Sequence, residues 1–336
     1  MVAGIAAGEN PEEVIEFTSE HRTWLDLCFL AVDQERIPGV RFWAIKELRP
    51  LDYGIGAMDN GGGDDEDDDK TTPDKYSCPW GYEKHNGPDR WYEYYLNAKG
   101  HNQSPIEINS KEVHYDHSLL PWFASYDPGA AKTILNNGRT CKVVFDDTFD
   151  RSVLRGGPLP GIYRLRQLHF HWGSSDDHGS EHVVDGVKYA GELHLLHWNP
   201  KHSNYADAVR RYDGVAVLAI FLKVGKPVKR EMKRILEEVG AIKSKGKEAP
   251  FPNFDPSILF PKSRDYWTYH GSFTTPPCEE VITWIILREP IVVSPDQMAK
   301  FRSLSMNSEN EPFRPLVDNW RPPQPRYYRM VSSSFL

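Results

Sequence analysis

Short runs in which apolar and polar residues alternate recur through most of the chain, and glycine, proline and asparagine separate them. A period of two with many β-branched and aromatic residues is typical of β-strands. The clearest predicted strands are residues 142–145, 163–172, 191–198, 214–224 and 281–287. One stretch, 229–239, has apolar residues at helical spacing and predicts an amphipathic helix. The pattern therefore predicts an α+β, mostly β fold built on a mostly antiparallel sheet.

Composition divides the chain near residue 77. Residues 1–77 hold 18 acidic and 7 basic side chains, and positions 64–69 are all acidic. Neighbouring like charges repel and resist packing, so 1–77 is predicted to be an acidic, disordered N-terminal extension, with a regulatory tail as the alternative. Residues 78–336 hold 30 acidic and 33 basic side chains and are predicted to form a single domain.

Charge and cysteine content restrict the partners and the compartment. No stripe of lysine and arginine interleaved with aromatic residues is present, so no nucleic-acid partner is expected. The four cysteines form no CxxC pair, which is typical of a reducing compartment. The N-terminus lacks a signal-peptide pattern, and the apolar stretch 24–32 is far shorter than the ~20 residues that cross a bilayer. We expect a cytoplasmic (cytosolic) monomer without a membrane partner.

Two histidines lie two residues apart in the predicted strand 163–172. Side chains alternate between the faces of a strand, so Gln167, His169 and His171 share one face and can approach one ion. This pattern alone is weak evidence for a metal site, because a polar pair on a half-exposed strand would have the same sequence.

The predicted strand 191–198 supplies a third imidazole. Glu192, His194 and Leu196 share a face there, whereas His197 points away and is predicted to be a packed structural histidine. Three imidazoles are a ligand set typical of catalytic zinc, which keeps its fourth position open. Closed structural zinc sites prefer four ligands rich in cysteine, and the sequence holds no such cluster.

Each of these strands also carries an acceptor two residues before a histidine. Gln167 could accept from His169 and Glu192 from His194, which would fix the tautomer and ring direction of both imidazoles. Neutral ligands leave zinc its full charge, and the charge lowers the pKa of a bound water from ~15.7 towards ~7. The predicted chemistry is hydrolysis or hydration.

Several motifs occur together in the order found in one known family. They are His-Phe-His-Trp-Gly-Ser at 169–174, Gly-Ser-Glu-His at 179–182, Glu-Leu-His at 192–194 and Gly-Ser-Phe-Thr-Thr-Pro-Pro at 271–277. On these residues the chain resembles the alpha-class carbonic anhydrases. Supporting matches run through 78–336 and do not extend to 1–77. The resemblance implies a carbonate dehydratase, a lyase that reversibly hydrates CO2 to bicarbonate and a proton, with Zn2+ as cofactor.

The resemblance also implies an architecture and a set of site residues. The expected domain has a central twisted sheet of about ten strands, peripheral short helices and a conical active-site cleft. The implied zinc ligands are His169, His171 and His194, oriented by Gln167, Glu192 and the backbone of Asn319. The implied catalytic pair is Thr274 and Glu181. The implied lining of the CO2 and bicarbonate site is Thr274, Thr275, Leu196, Val217, Phe273 and Trp284. The implied water network is lined by Tyr82, Asn137 and Lys142.

Two positions differ from the fast members of that family and resemble its slow, muscle-type branch. Arg139 occupies the proton-shuttle position, and a guanidinium stays protonated near neutrality and cannot relay protons. Phe273 replaces a leucine, and its ring would narrow the pocket. Slow CO2 hydration is therefore predicted. The alternatives are a non-catalytic, carbonic anhydrase-related binding protein and a hydrolase for small esters.

Overall fold

The computed structural model describes residues 80–226 and 232–336. The predicted disordered extension, 1–77, lies outside these residues. The strands are β1 (Glu107–Ile108), β2 (His114–Tyr115), β3 (Trp122–Ser125), β4 (Ala131–Asn136), β5 (Cys141–Phe145), β6 (Val153–Gly156), β7 (Tyr163–Trp172), β8 (Val183–Val184), β9 (Gly191–Trp198), β10 (Val215–Val224), β11 (Lys247–Pro250), β12 (Tyr266–Gly271), β13 (Ile282–Leu287), β14 (Ile291–Val293) and β15 (Ser332–Ser333).

The described helices are short and either precede the first strand or lie between strands. The α-helices are α1 (Tyr205–Ala208), α2 (Lys233–Glu237) and α3 (Pro295–Arg302). The 3-10 helices are Pro88–Glu93, Leu96–Lys99, Pro128–Ala130, Glu238–Gly240 and Pro256–Leu259. No helix in the described ranges is long and apolar enough to span a bilayer.

One large mixed sheet dominates the described residues. Its main path has the order β11-β4-β5-β7-β9-β10-β13-β12-β15-β2, and β3, β6 and β14 join it at the side. The pairs β10–β13, β10–β14 and β15–β2 are parallel, and the other pairs of this sheet are antiparallel. The predicted mostly β fold, with its mostly antiparallel central sheet, is confirmed.

The predicted strands lie close to the observed ones, whereas the predicted helix is too long. β7 and β9 have the predicted bounds, because both runs end at glycine or polar turn residues. The α-helix covers only Lys233–Glu237 and continues as the 3-10 turn Glu238–Gly240. Residues 229–231 of the predicted helical stretch lie outside the described residues. Met232, Ile235, Leu236 and Val239 are buried, as their spacing predicts.

The central strands bury both faces, and this arrangement produces the site. Every residue of β9 is buried. Leu193 and Leu195 join the larger apolar cluster on one side, whereas Leu196 joins a second cluster that also contains Val217 and Trp284. Since residues two apart share a face, the second side also receives Glu192 and His194. Glu192 and His194 therefore lie among apolar side chains.

Candidate metal centre

Strand register brings the three histidines together. β7 and β9 are antiparallel neighbours in which His169 lies opposite His194 and His171 lies opposite Glu192. The ring centroids of the three imidazoles are 4.7–5.2 Å apart. One ligand atom of each histidine lies within 4.8 Å of the others. The arrangement is compact enough for three nitrogen atoms to share one ion.

Each neutral imidazole donates its single N–H to a fixed acceptor. His169 Nδ1 lies 2.8 Å from Gln167 Oε1, and His171 Nδ1 lies 2.7 Å from the carbonyl oxygen of Asn319. His194 Nε2 lies 2.8 Å from Glu192 Oε1. These acceptors fix the tautomers, which leaves the lone pairs of His169 Nε2, His171 Nε2 and His194 Nδ1 for a metal.

Burial keeps the three imidazoles neutral. It lowers the pKa of His171 to about 3, and it lowers the pKa of His194 as well. The pKa of His169 is well below its ordinary value because of burial, with further contributions from His171 and His194. His171 Nε2 is a buried atom without a hydrogen-bond partner. A buried, unpaired lone pair between two other imidazole nitrogens is what a zinc site requires, so the residues fit this ion.

Two buried carboxyl groups lie behind the histidines. Glu192 Oε1 is 2.7 Å from His182 Nδ1, and Oε2 accepts from the N–H groups of Glu181 and His182 at 2.9 and 2.8 Å. Burial tends to raise the pKa of Glu192, but His182 and His194 outweigh it and hold this pKa well below the ordinary value. Glu192 is therefore ionised.

Glu181 has the opposite balance. Burial and the neighbouring Glu192 raise the pKa of Glu181 well above its ordinary value, although Thr274 and the N–H of Arg321 oppose this rise by hydrogen bonding. Glu181 Oε1 accepts from Arg321 N at 2.9 Å and lies 3.4 Å from His171 Nδ1. Glu181 Oε2 has no hydrogen bond of ordinary geometry. Its free acceptor makes it a partner for the Thr274 hydroxyl.

A cleft of about 350 Å³ opens above the histidines. Most of its wall is apolar, and His169 and His194 contribute to it. Its lining residues are Gln167, His169, His194, Leu196, Tyr205, Val209, Val217, Phe273, Thr274, Thr275, Pro276, Pro277, Glu279, Ile282 and Trp284. A concave, mostly apolar cavity with a few polar groups is typical of a small-molecule site.

Comparison with known proteins identifies the family. A family model described as eukaryotic-type carbonic anhydrase matches residues 86–335. Carbonic anhydrase 3 of Mus musculus is 67% identical over 256 residues, which cover 76% of this chain and 98% of the relative. The Sus scrofa protein of the same name is 68% identical over the same shares. Carbonic anhydrase 1 of Mus musculus is 51% identical over 260 residues, 77% and 99% of the two chains.

The chain belongs to the eukaryotic-type carbonic anhydrase family. It is therefore an enzyme, a carbonate dehydratase, and its reaction is the reversible hydration of CO2 to bicarbonate and a proton. The resemblance inferred from the motifs is confirmed. The family match begins at residue 86 and leaves the predicted domain boundary at 77 untested.

Most of the residues predicted for the cleft of this carbonic anhydrase lie in its wall. Thr274 and Trp284 are buried, and Phe273 and Thr275 are half-buried. They line the cavity together with Leu196 and Val217. Hydrogen bonding of Trp284 Nε1 to the carbonyl of Ser272 at 3.2 Å fixes the loop that carries Phe273.

The residues predicted for the polar side are not among those that line the cleft. Arg139 Nε donates to the carbonyl of Trp80 at 3.2 Å, and its guanidinium carbon lies 4.2 Å from the centre of the Trp80 ring. Asn137 Oδ1 accepts from the N–H of Arg139 at 2.9 Å and so shapes the turn. Lys142 lies opposite His169 in the sheet. Tyr82 packs edge-on against Trp80.

Sequence reasoning missed six residues of the wall of this carbonic anhydrase. They are Tyr205, Val209, Pro276, Pro277, Glu279 and Ile282. Alternation along β13 could have found Ile282, since it shares a face with Trp284. Tyr205 and Val209 come from α1 and the turn after it, which no motif predicted.

Proposed function

We propose that this carbonic anhydrase binds one zinc ion through His169, His171 and His194 and hydrates CO2 in the adjoining cleft. The observation that carries the proposal is the meeting of three neutral imidazoles, with His171 Nε2 buried and unpaired. When bound, zinc supplies a water-derived nucleophile of hydroxide strength near neutral pH. Gln167, Glu192 and the Asn319 carbonyl hold the imidazoles in the orientation that binding requires.

The role proposed for Thr274 and Glu181 is to select and orient the attacking oxygen. Thr274 Oγ1 can donate its proton to the free acceptor of Glu181, which leaves the Thr274 lone pairs to accept from the nucleophile. Thr274 therefore holds an attacking oxygen that carries a proton to donate, and the remaining lone pair of that oxygen points into the cleft. Holding the reacting atoms in the correct geometry contributes to catalysis by itself.

The apolar wall suits the substrate. CO2 carries no charge, and Leu196, Val217 and Trp284 offer it a dry surface beside the histidines. Thr275 lines the same cleft and can donate to the bicarbonate that forms. Phe273 occupies part of this space. We propose that its ring slows substrate entry and disfavours larger esters, so ester hydrolysis is secondary.

The test is a pair of measurements on the full chain. We expect one zinc per chain after mild purification, and CO2 hydration by stopped flow that is lost on zinc removal and restored by zinc. His194→Ala should lose zinc and activity together, whereas Tyr212→Phe, a change at an exposed residue that does not line the cleft, should lose neither. Activity that persists in zinc-free protein would refute the proposal. A cytosolic location and a monomeric state stay predictions.

A further inference from the structure

Hydration of CO2 releases one proton per turnover, and the proton needs an exit. A C–O bond forms, an O–H bond of water breaks, and a base must take up the proton before the next turnover. Arg139 stands at the predicted shuttle position but keeps its own proton near neutral pH. Its contacts with Trp80 also hold it on the aromatic ring. The structure therefore raises the question of which group accepts the proton.

We propose that Glu279 is the proton-accepting residue of this cleft. It is the one carboxylate in the wall formed by the described residues, and it lies in the same cavity as His169, His194 and Thr274. Its side chain is half-buried and makes no hydrogen bond or ion pair with another side chain of the described ranges. The inference rests on the proposed function, because it concerns the proton released at that site.

The surroundings of Glu279 suit a transient proton acceptor. Burial raises the pKa of its carboxyl above the ordinary value, and a hydrogen bond from its own backbone N–H and the charge of Arg210, which follows α1, oppose part of the rise. On its own loop, Cys278 is buried and its pKa is raised to about 12, so this thiol stays neutral. Val209 and Ile282, from the other walls, are apolar. A carboxyl whose pKa is shifted towards neutrality transfers protons better than a fully solvated one.

Glu280, the next residue, has a different environment and provides a matched control. Its carboxylate accepts from Asn102 N at 2.8 Å and from Gln103 Nε2 at 2.9 Å. It does not line the cleft. Glu279→Gln and Glu280→Gln thus make the same chemical change at adjacent positions, one in the cleft and one outside it.

The experiment compares both variants with the zinc-loaded wild type. In dilute buffer, Glu279→Gln should lower kcat on the order of tenfold, whereas kcat/KM, which reports CO2 conversion, should change less than about twofold. A concentrated small buffer such as imidazole should restore kcat. Glu280→Gln should match the wild type in dilute buffer. An unchanged kcat in Glu279→Gln, or an equal fall in kcat and kcat/KM, would overturn the proposal.

A second measurement does not depend on activity. In metal-free protein with carbon-13-labelled glutamate, the carboxyl resonance that Glu279→Gln removes should titrate above about 4.3, the ordinary value for glutamate. A midpoint at or below that value would contradict the inference. If the wild type hydrates no CO2, the proposed function fails, and this outcome is distinct from a failure of Glu279 alone.

Discussion

Replacing Glu192 by glutamine would keep the shape of the side chain and remove one of its two acceptor oxygens. The wild-type carboxylate accepts at both oxygens, with Oε1 facing His182 and His194 and Oε2 facing two backbone N–H groups. The backbone donors are fixed, so the amide oxygen of the variant would face them. Its NH2 group would then face the two imidazoles.

Replacement of the Glu192 carboxylate by an amide should weaken metal binding directly. His194 Nε2 would have to accept from the amide, so its proton would move to Nδ1, the nitrogen that the metal needs. Loss of an outer partner of a metal-bound histidine typically weakens metal affinity 10–100-fold, which corresponds to roughly 1.4–2.7 kcal/mol. We expect a loss of zinc affinity in this range, since the variant lacks both the negative charge of Glu192 and the hydrogen bond that fixes the tautomer of His194.

Competition with a chromophoric chelator would measure the zinc dissociation constant of Glu192→Gln, and equilibrium unfolding of the metal-free protein would report whether the variant is folded. Glu280→Gln serves as the control, because it removes a half-buried carboxylate that contacts amides and no imidazole of the cluster. Its zinc affinity should stay within about twofold of wild type. A folded Glu192→Gln variant with wild-type zinc affinity would refute the reasoning.

Three further predictions follow from single side chains. Phe273→Leu should raise kcat/KM for CO2 roughly tenfold, because removal of the ring should lower the barrier by about 1.4 kcal/mol. Stopped-flow hydration at low CO2 measures this change, and no gain would show that the ring does not obstruct the substrate. Arg139→His should raise kcat in dilute buffer about tenfold with kcat/KM unchanged; an equal effect on both would exclude proton transfer as its cause. His197 is buried with a pKa lowered to about 3. Its unfolded form takes up a proton below about 6.5, so stability falls as pH drops from there towards 3, by about 2 kcal/mol at pH 5. Denaturant unfolding at pH 7 and 5 should show a smaller loss of stability in His197→Phe than in the wild type. The same pH dependence in both proteins would contradict the attribution of this loss to His197.

Local alternation predicted the centre of the sheet because its strands are long and bounded by clear turns. β7 and β9 each run for eight residues or more, and their histidines, Gln167 and Glu192 were placed on the right faces. The very short strands, such as β1 and β15, have only two residues each. Two residues carry no period, so only pairing with a distant partner defines such strands.

The candidate site shows the same division between what is local and what is not. The outer partners of His169 and His194 lie two residues away on the same strand, and spacing alone predicted them. The partner of His171 lies 148 residues away, at a carbonyl oxygen that any residue type could supply. Only the family resemblance could name Asn319 for that role.

Glu279 marks the limit of reasoning by resemblance. The motif 271–277 ends two residues before it, and its neighbour Glu280 has the same side chain in the same loop. The two differ in direction, since Glu280 turns to Asn102 and Gln103 whereas Glu279 lines the cleft. Which of two adjacent acids meets the cleft depends on how the loop packs on α1 and β13. A site residue of this kind is therefore found from the cavity, and its chemistry is then judged from its charge and burial.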